Sequence, residues 1–277
     1  MTKINCNFSV LISVYKNDNF HHFKESINSV LNQSIKPDQI VIVRDGEVSN
    51  QIDSYLNQLE KNCKLFSIIR FNKNKGLAKA LNIGVNKCKN DIIFRQDSDD
   101  ISLYNRFHDQ LIILINNKDI ALLSSWTEAY DMTMTKSLFV RKVPEKHNDI
   151  KIYSLNRTPF NHPSAVFRKS YFIETEGYPS HKNYSEDWWL SLRFIKKGFI
   201  LHNIPKVLVK VRAPDDWFLR RRGYSYAIIE IKDQYLMYKE DLINFKNLIK
   251  NLLIRLPIRL LPLYITRFVY TLIRKFR

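Results

Sequence analysis

No stretch of this chain reaches the roughly 18 uninterrupted apolar residues needed to span a bilayer. Its first residues, Met1-Thr2-Lys3-Ile4-Asn5, run into a strand-like segment with no long apolar signal core. Both absences predict a cytoplasmic protein. Cysteine is scarce: Cys6, Cys63 and Cys88 are odd in number and lack metal-ligand spacing. That excludes a disulfide framework and a zinc site, and reads as free thiols in a reducing compartment. Acid is missing from one end. After Asp241 there is none, while Lys246, Lys250, Arg255, Arg259, Arg267, Arg274, Lys275 and Arg277 follow. No internal repeat or low-complexity linker divides the chain.

What is present is an ordinary globular composition with an unusual charge. The apolar fraction of 45% and the charged fraction of 26% suit a soluble fold, and 277 residues can bury one large core with an appendage. Lys+Arg 44 against Asp+Glu 27 leaves +17. A polyanionic partner is therefore expected: nucleic acid, nucleotide phosphates or an acidic membrane face.

The first hundred residues alternate strand and helix patterns. Strands are predicted over 9–14, 39–43, 65–71 and 91–96, and helices over 20–33, 49–62, 77–88 and 103–117. Such alternation implies a parallel sheet with right-handed crossovers. Beyond it, strands over 121–129 and 138–143 are expected to pair antiparallel across the turn 131–136. A helix over 149–155, a Pro-bounded loop 158–163, a strand over 164–168 and a helix over 186–197 follow. The segments 200–204 and 208–212 read as edge strands.

The densest chemistry lies at Asp97-Ser98-Asp99-Asp100, where the apolar run Ile92–Phe94 ends in three carboxylates within four positions. Ligands of open α/β sheets gather beyond the carboxyl ends of the strands. Acids crowded there repel one another unless a hard divalent cation such as Mg²⁺ or Mn²⁺ lies among them, its shell completed by substrate phosphates. The other strand ends share the same rim: Ser13-Val14-Tyr15, Asp45-Gly46 and Lys75-Gly76. Asp45 either accepts a hydrogen bond from a base imide N–H, which uracil has and cytosine lacks, or stabilises the Asp-Gly turn. Lys75 and Arg95 place cations where an anionic diphosphate would be held.

These pieces resemble those of inverting family 2 glycosyltransferases of the GT-A fold, in particular bacterial O-antigen and exopolysaccharide enzymes. The resemblance rests on Ser13-Val14-Tyr15, Val43-Arg44-Asp45-Gly46, the run from Lys75 to Gly84, Asp97-Ser98-Asp99-Asp100, and Ser185-Glu186-Asp187-Trp188-Trp189-Leu190-Ser191-Leu192-Arg193, and it covers roughly residues 8–215. It implies an α/β fold with a Rossmann-like, mostly parallel sheet and helices on both faces. It also implies a catalytic domain over 1–240, with a nucleotide-binding half over about 1–100 and an acceptor half over about 101–215. Asp45 would contact uracil, Asp97 the ribose or sugar and the metal, and Asp99 the Mn²⁺ or Mg²⁺ ion bridging the donor diphosphate. Asp187 would be the general base, with Glu186 beside it. Ser13, Tyr15, Lys75, Arg95, Arg220 and Arg221 are expected on the donor, and Trp188, Trp189 and His162 on the acceptor. The Gln-x-x-Arg-Trp signature of processive synthases is missing, which argues for a single sugar addition.

Residues 241–277 form a basic appendage. A helical projection of 263–277 puts Ile265, Phe268, Val269, Leu272, Ile273 and Phe276 on one face and Arg267, Arg274 and Lys275 on the other. Pro257 and Pro262 interrupt the stretch before it. Such a segment either lies in a membrane interface or docks on the catalytic domain. The expected protein is a glycosyltransferase that moves one hexose or N-acetylhexosamine from a UDP-sugar to a polyprenyl-diphosphate-linked saccharide. It would be held peripherally on the cytoplasmic face of the inner membrane by anionic lipid, with no nucleic-acid partner. A sugar nucleotidyltransferase would carry a Gly-rich basic loop where this chain has Tyr15-Lys16-Asn17-Asp18-Asn19. A nucleic-acid module would carry a basic stripe without the acid cluster.

Overall fold

Apolar runs buried on both faces form the centre of the molecule. The computed structural model describes residues 6–179, 185–214 and 222–261. Strands β1 (Phe8–Val14), β2 (Gln39–Arg44) and β4 (Ile92–Gln96) are almost wholly buried, and β3 (Phe66–Arg70) lies at the rim of the same sheet. β1 pairs in parallel with β2 and β4, and β2 with β3. Two of the helices between them start where short polar side chains take orphan N–H groups. The Asn19 side chain caps α1 (Phe20–Leu31), and Ser49 caps α2 (Asn50–Asn62).

Helices cover both faces. Phe23, Ile27 and Val30 of α1, Ile52 and Leu56 of α2, and Phe107, Leu111 and Leu114 of α4 (Arg106–Asn116) share one core layer. On the other face α3 (Leu77–Lys87) lies very close to the sheet. A Cβ added to Gly84 would meet Leu11 Cδ1 at 2.3 Å and Val43 Cγ2 at 3.0 Å. A larger residue there would have to displace Leu11.

The second half adds antiparallel pairing to the parallel core. β6 (Ile120–Tyr130) and β7 (Ser137–Arg141) form the expected hairpin. β8 (Val166–Arg168) lies antiparallel between β4 and β6. The order across the nine strands is β3-β2-β1-β4-β8-β6-β9-β5, with β7 also on β6; β5 is Ile101–Ser102 and β9 is Ile200–Arg212. The two expected edge strands are thus one long strand, and it is interior, parallel to β6 and antiparallel to β5. Pro205, which lacks an N–H, falls where the register slips: Ser125 pairs with Ile204 but Trp126 with Val207. A bulge lets proline sit inside a sheet.

Short helices α5 (His147–Ser154) and α6 (Lys169–Glu174) and a 3-10 turn (His162–Ser164) link these strands. α7 (Glu186–Lys196) carries Trp188, Trp189 and Leu192 against α8 (Tyr224–Lys239) and α9 (Phe245–Leu260), with Met237, Leu242, Ile243 and Leu248. α9 continues through Pro257, where an interruption was expected. Residues 242–261 therefore pack on the catalytic unit across the boundary placed at 240. No helix among the described residues is long and apolar enough to cross a membrane. The predicted helix over 263–277 lies outside the described residues.

Candidate active site

Parallel pairing brings the carboxyl ends of β1, β2 and β4 to one rim. Val14 pairs with Arg44, and Ile12 with Gln96, so Asp45 follows level with Tyr15 and Asp97 level with Ser13. Gly46 at φ +86° completes the turn after β2, and a Cβ there would lie 2.6 Å from the Asn74 backbone nitrogen. Only glycine fits this close approach. The buried Asp45 carboxylate holds the β3–α3 loop in place. It accepts from the Lys75 N–H at 2.6 Å, the Gly76 N–H at 2.9 Å and the Asn74 amide at 3.1 Å. Of about four acceptor sites on a carboxylate, three serve the loop. The carboxylate thus braces the neighbouring loop rather than its own Asp-Gly turn. Lys75 is exposed, its Nζ 4.2 Å from the centre of the Phe71 ring. Ser13 is half-buried and Tyr15 exposed.

The acids after β4 are crowded. Arg95, buried, forms a two-pronged ion pair with Asp97. Burial opposes the Arg95 charge, but Asp97 outweighs it and keeps the guanidinium protonated. Burial and then Asp97 push the Asp99 carboxyl up to about 6, against the pull of Arg212 and Arg95. Asp100 is buried and raised well above the usual carboxylate range, by burial first and then by Asp97 and Asp99. Its Oδ1 accepts from the Arg212 N–H at 3.0 Å, which fixes the loop to the end of β9.

A fourth acid was not singled out from the sequence. Burial raises the Asp18 carboxyl to about 7, although the Tyr15 N–H and the Ser98 hydroxyl both stabilise its anion; Asp99 and Asp97 raise it further. The β1–α1 loop carries it to the rim, donating the Tyr15 N–H to Asp18 Oδ2 at 2.8 Å. Its signal was available: Asp18 lies just past the end of the first strand, on the rim where the other acids were placed.

The acids of α7 join this group through Tyr178. The Tyr178 hydroxyl is buried, which raises its pKa most; Arg95 lowers it, and Glu186, Asp187 and Asp97 raise it. Tyr178 thus feels the charges of Arg95 and Asp97 and of both α7 acids. Glu186 and Asp187 open α7 and are half-buried, and Asp187 Oδ1 accepts from the Trp188 N–H at 2.8 Å. His162 Nε2 lies 2.7 Å from the Tyr178 hydroxyl. Burial, then Arg95 and Arg141, holds His162 well below the usual imidazole range, so it is neutral.

Two expected acceptor platforms are corrected. Trp188 and Trp189 are 1% and 0% exposed. Trp188 Nε1 donates to the Ser154 carbonyl at 2.6 Å, and Trp189 Nε1 donates to Asp233 at 2.6 Å. Both rings pack under α8 and α9, where no sugar reaches them. His162 is buried too and supports Tyr178 from below. Arg220 and Arg221, expected on the donor, lie outside the described residues. Among the described residues no three His, Cys, Asp or Glu side chains converge as a ligand set.

Comparisons with known proteins supply the class of the chain. The family model "Glycosyl transferase family 2" matches residues 9–175. The chain is 37% identical to the UDP-Gal:alpha-D-GlcNAc-diphosphoundecaprenol beta-1,3-galactosyltransferase of Escherichia coli, over 97% of each chain. It is 33% identical to the amylovoran biosynthesis glycosyltransferase AmsE of Erwinia amylovora, over 97% of this chain and 99% of that one. Among solved structures, S. aureus TarS 1-349 in complex with UDP-GlcNAc superposes with a TM-score of 0.61 at 14% identity, covering 84% of this chain and 66% of that one. The mannosyltransferase PcManGT from Pyrobaculum calidifontis, in complex with GDP-Man and Mn²⁺, superposes with a TM-score of 0.60 at 14% identity, covering 84% and 62%. These likenesses carry the fold, and the family match with the near-full-length relatives carries the class: the chain is a glycosyltransferase and belongs to glycosyl transferase family 2.

Proposed function

We propose that the protein transfers one hexose or N-acetylhexosamine, with inversion, from a UDP-sugar to a polyprenyl-diphosphate-linked saccharide. The product would enter O-antigen, capsule or exopolysaccharide synthesis. The observation that supports this reading is the crowding of Asp97, Asp99 and Asp100 after β4, with Arg95 paired to Asp97 and the Arg212 N–H to Asp100. Near-full-length similarity to a transferase whose name specifies a UDP-sugar donor and a diphosphoundecaprenol acceptor supports the substrate class.

The residues fit a divalent cation. Asp18, Asp99 and Asp100 all have raised carboxyl pKa values because burial and mutual repulsion disfavour three more anions beside Asp97. A cation relieves that repulsion, and a hard ion bound by one or two carboxylates takes its remaining ligands from phosphate and water. Asp97 and Asp99 would hold Mn²⁺ or Mg²⁺, which would offset the charge on the departing nucleotide diphosphate.

The chain's own groups account for the rest. Asp45 and Gly46 set the β3–α3 loop that lines the nucleotide side, and Lys75 offers a cation there. Arg95 fixes both oxygens of Asp97. An acceptor hydroxyl attacking the anomeric carbon must lose its proton as the bond to the diphosphate oxygen breaks. The Asp187 carboxylate takes that proton, and UDP leaves from the opposite face. No covalent enzyme intermediate is required.

A donor panel tests this reading. Purified protein, Mn²⁺ and a synthetic lipid-diphosphate sugar are incubated with UDP-, GDP- and dTDP-sugars, and nucleotide release and product are followed. Release of UDP coupled to one added sugar is expected. Transfer from a GDP- or dTDP-sugar alone would overturn the donor assignment, and nucleotidyl transfer without glycoside formation would overturn the class of reaction.

A further inference from the structure

Helix α8 is inside out for a protein in water. Its buried side carries Glu230, Asp233 and Gln234 beside Ala227 and Met237, whereas Tyr224, Ile228, Ile231, Tyr235 and Tyr238 are exposed. The exposed residues recur at spacings of four and three, which places them on one stripe. α9 repeats the inversion. Asn251 is buried and Arg255 and Arg259 turn toward α8, while Phe245, Ile249, Leu253, Ile254 and Leu260 are exposed.

The seam between the helices is polar and paired. Glu230 binds Arg255 at 2.6 Å and Arg259 at 3.0 Å, and Asn251 donates to the Gln234 carbonyl at 3.0 Å. The stripes meet at the turn, where the rings of Tyr238 and Phe245 lie 5.9 Å apart. An open apolar groove of about 550 Å³ runs along Phe245, Ile249, Leu253 and Ile254, edged by Lys246 and Lys250. Polar groups satisfied inside a helix pair and apolar groups outside is the arrangement that an apolar surrounding favours. A monomer in water seldom exposes so continuous an apolar face.

We propose that the outer face of the α8–α9 hairpin is the surface by which this protein seats on an anionic lipid bilayer. Charge selects the occupant. Lys232, Lys239, Lys246 and Lys250 are exposed on the two helices. The acids at the turn are already engaged, Glu240 with Arg193 at 3.2 Å and Asp241 near Lys196 at 4.0 Å. A second copy is disfavoured, because a two-fold contact would bring two lysine-edged faces together on molecules of +17 charge each. Aliphatic and aromatic side chains with lysines at the edge describe an interfacial helix pair.

Seating would orient the catalytic end. Asp233 accepts from Trp189 Nε1 and Ser185 Oγ, and these two residues flank Glu186 and Asp187. The hairpin on the lipid is thereby tied to the helix that carries the proposed base. This consequence rests on the lipid-linked acceptor proposed above, whereas the seating itself does not and is tested without acceptor.

The test is flotation of the full chain with vesicles of phosphatidylethanolamine and phosphatidylglycerol, and with phosphatidylcholine vesicles for comparison. The native protein should float with the anionic vesicles and far less with the neutral ones. Combined Ile228→Gln, Ile231→Gln and Leu253→Gln should weaken that partitioning by about tenfold or more, with an unchanged thermal melt and unchanged activity on a soluble acceptor analogue. Replacing Lys232, Lys239, Lys246 and Lys250 with Gln should abolish the preference for anionic vesicles and the sensitivity to salt. The proposal is overturned by any of three results: the native chain binds neither vesicle, the apolar variant floats like the native chain while removal of 262–277 alone abolishes binding, or the apolar variant loses a dimer and not vesicle binding. Vesicle binding without transfer to any lipid-linked sugar would sink the functional reading and leave the docking surface standing.

Discussion

Asp99 and Asp187 divide the work that the proposed reaction needs. If Asp99 helps to hold a divalent ion, Asp99→Ala should lower turnover by about 10²-fold or more. EDTA should silence the native enzyme, and Mn²⁺ or Mg²⁺ should restore it; full turnover in EDTA would refute the role. Asp187→Asn keeps the side-chain size but cannot take a proton. UDP binding should survive in that variant while transfer falls by about 10²- to 10⁴-fold. A near-native rate would move the base to Glu186. Trp189 illustrates the limit of residue identity as a guide. In sequence it reads as a sugar platform, yet its indole N–H is buried on Asp233. Trp189→Phe should therefore cost about 1–3 kcal/mol of stability and leave the acceptor KM unchanged, as thermal melts and kinetics would show. An increase in KM at unchanged stability would restore the platform.

Among the elements, the α8–α9 seam depends on one carboxylate. Burial would raise the Glu230 pKa, but Arg255 and Arg259 outweigh it and hold the group below its ordinary value. A depressed carboxylate stabilises the fold fully above its unfolded pKa, and that contribution is lost as pH falls through the lower, folded one. Glu230→Gln leaves two arginines facing a neutral amide and should cost about 3 kcal/mol near neutral pH. The difference in Tm between native and variant proteins should shrink once the pH drops below the unfolded value. A constant gap down to strongly acidic pH would mean that the charge pairing is not what the seam needs. The elements also show where local pattern is informative. β1 to β4 and their helices lie within a few residues of their predicted positions, because an apolar run or a 3.6-residue period is set by neighbours in sequence. β9 was read as two edge strands because Pro205 breaks the local pattern. Only the register slip against β6 explains how the strand continues.

For the whole molecule, the crowded acids predict cooperation between metal and donor. Mn²⁺ alone finds only a partial ligand set, so it should shift Tm little, whereas Mn²⁺ with UDP should raise it by several degrees. A ligand at about 100 times its Kd adds roughly 2.7 kcal/mol. Equal shifts with UDP in Mn²⁺ and in EDTA would show that the donor binds without the ion. What the sequence determined by itself was the alternating βα order, the acids at the end of the fourth strand, the Glu186-Asp187 pair and the excess of basic residues. Each is a matter of residue type and short spacing, and each is readable without knowing what lies across the sheet. The tertiary structure decided what depends on distant partners. Asp18 joins the acids 79 or more positions away because β1 and β4 are adjacent. The two tryptophans are buried because α8 and α9 fold back over α7. The apolar side of α8 faces outward because Arg255 and Arg259 claim Glu230 from the next helix. Burial belongs to pairs of elements, and no single stretch of sequence contains it.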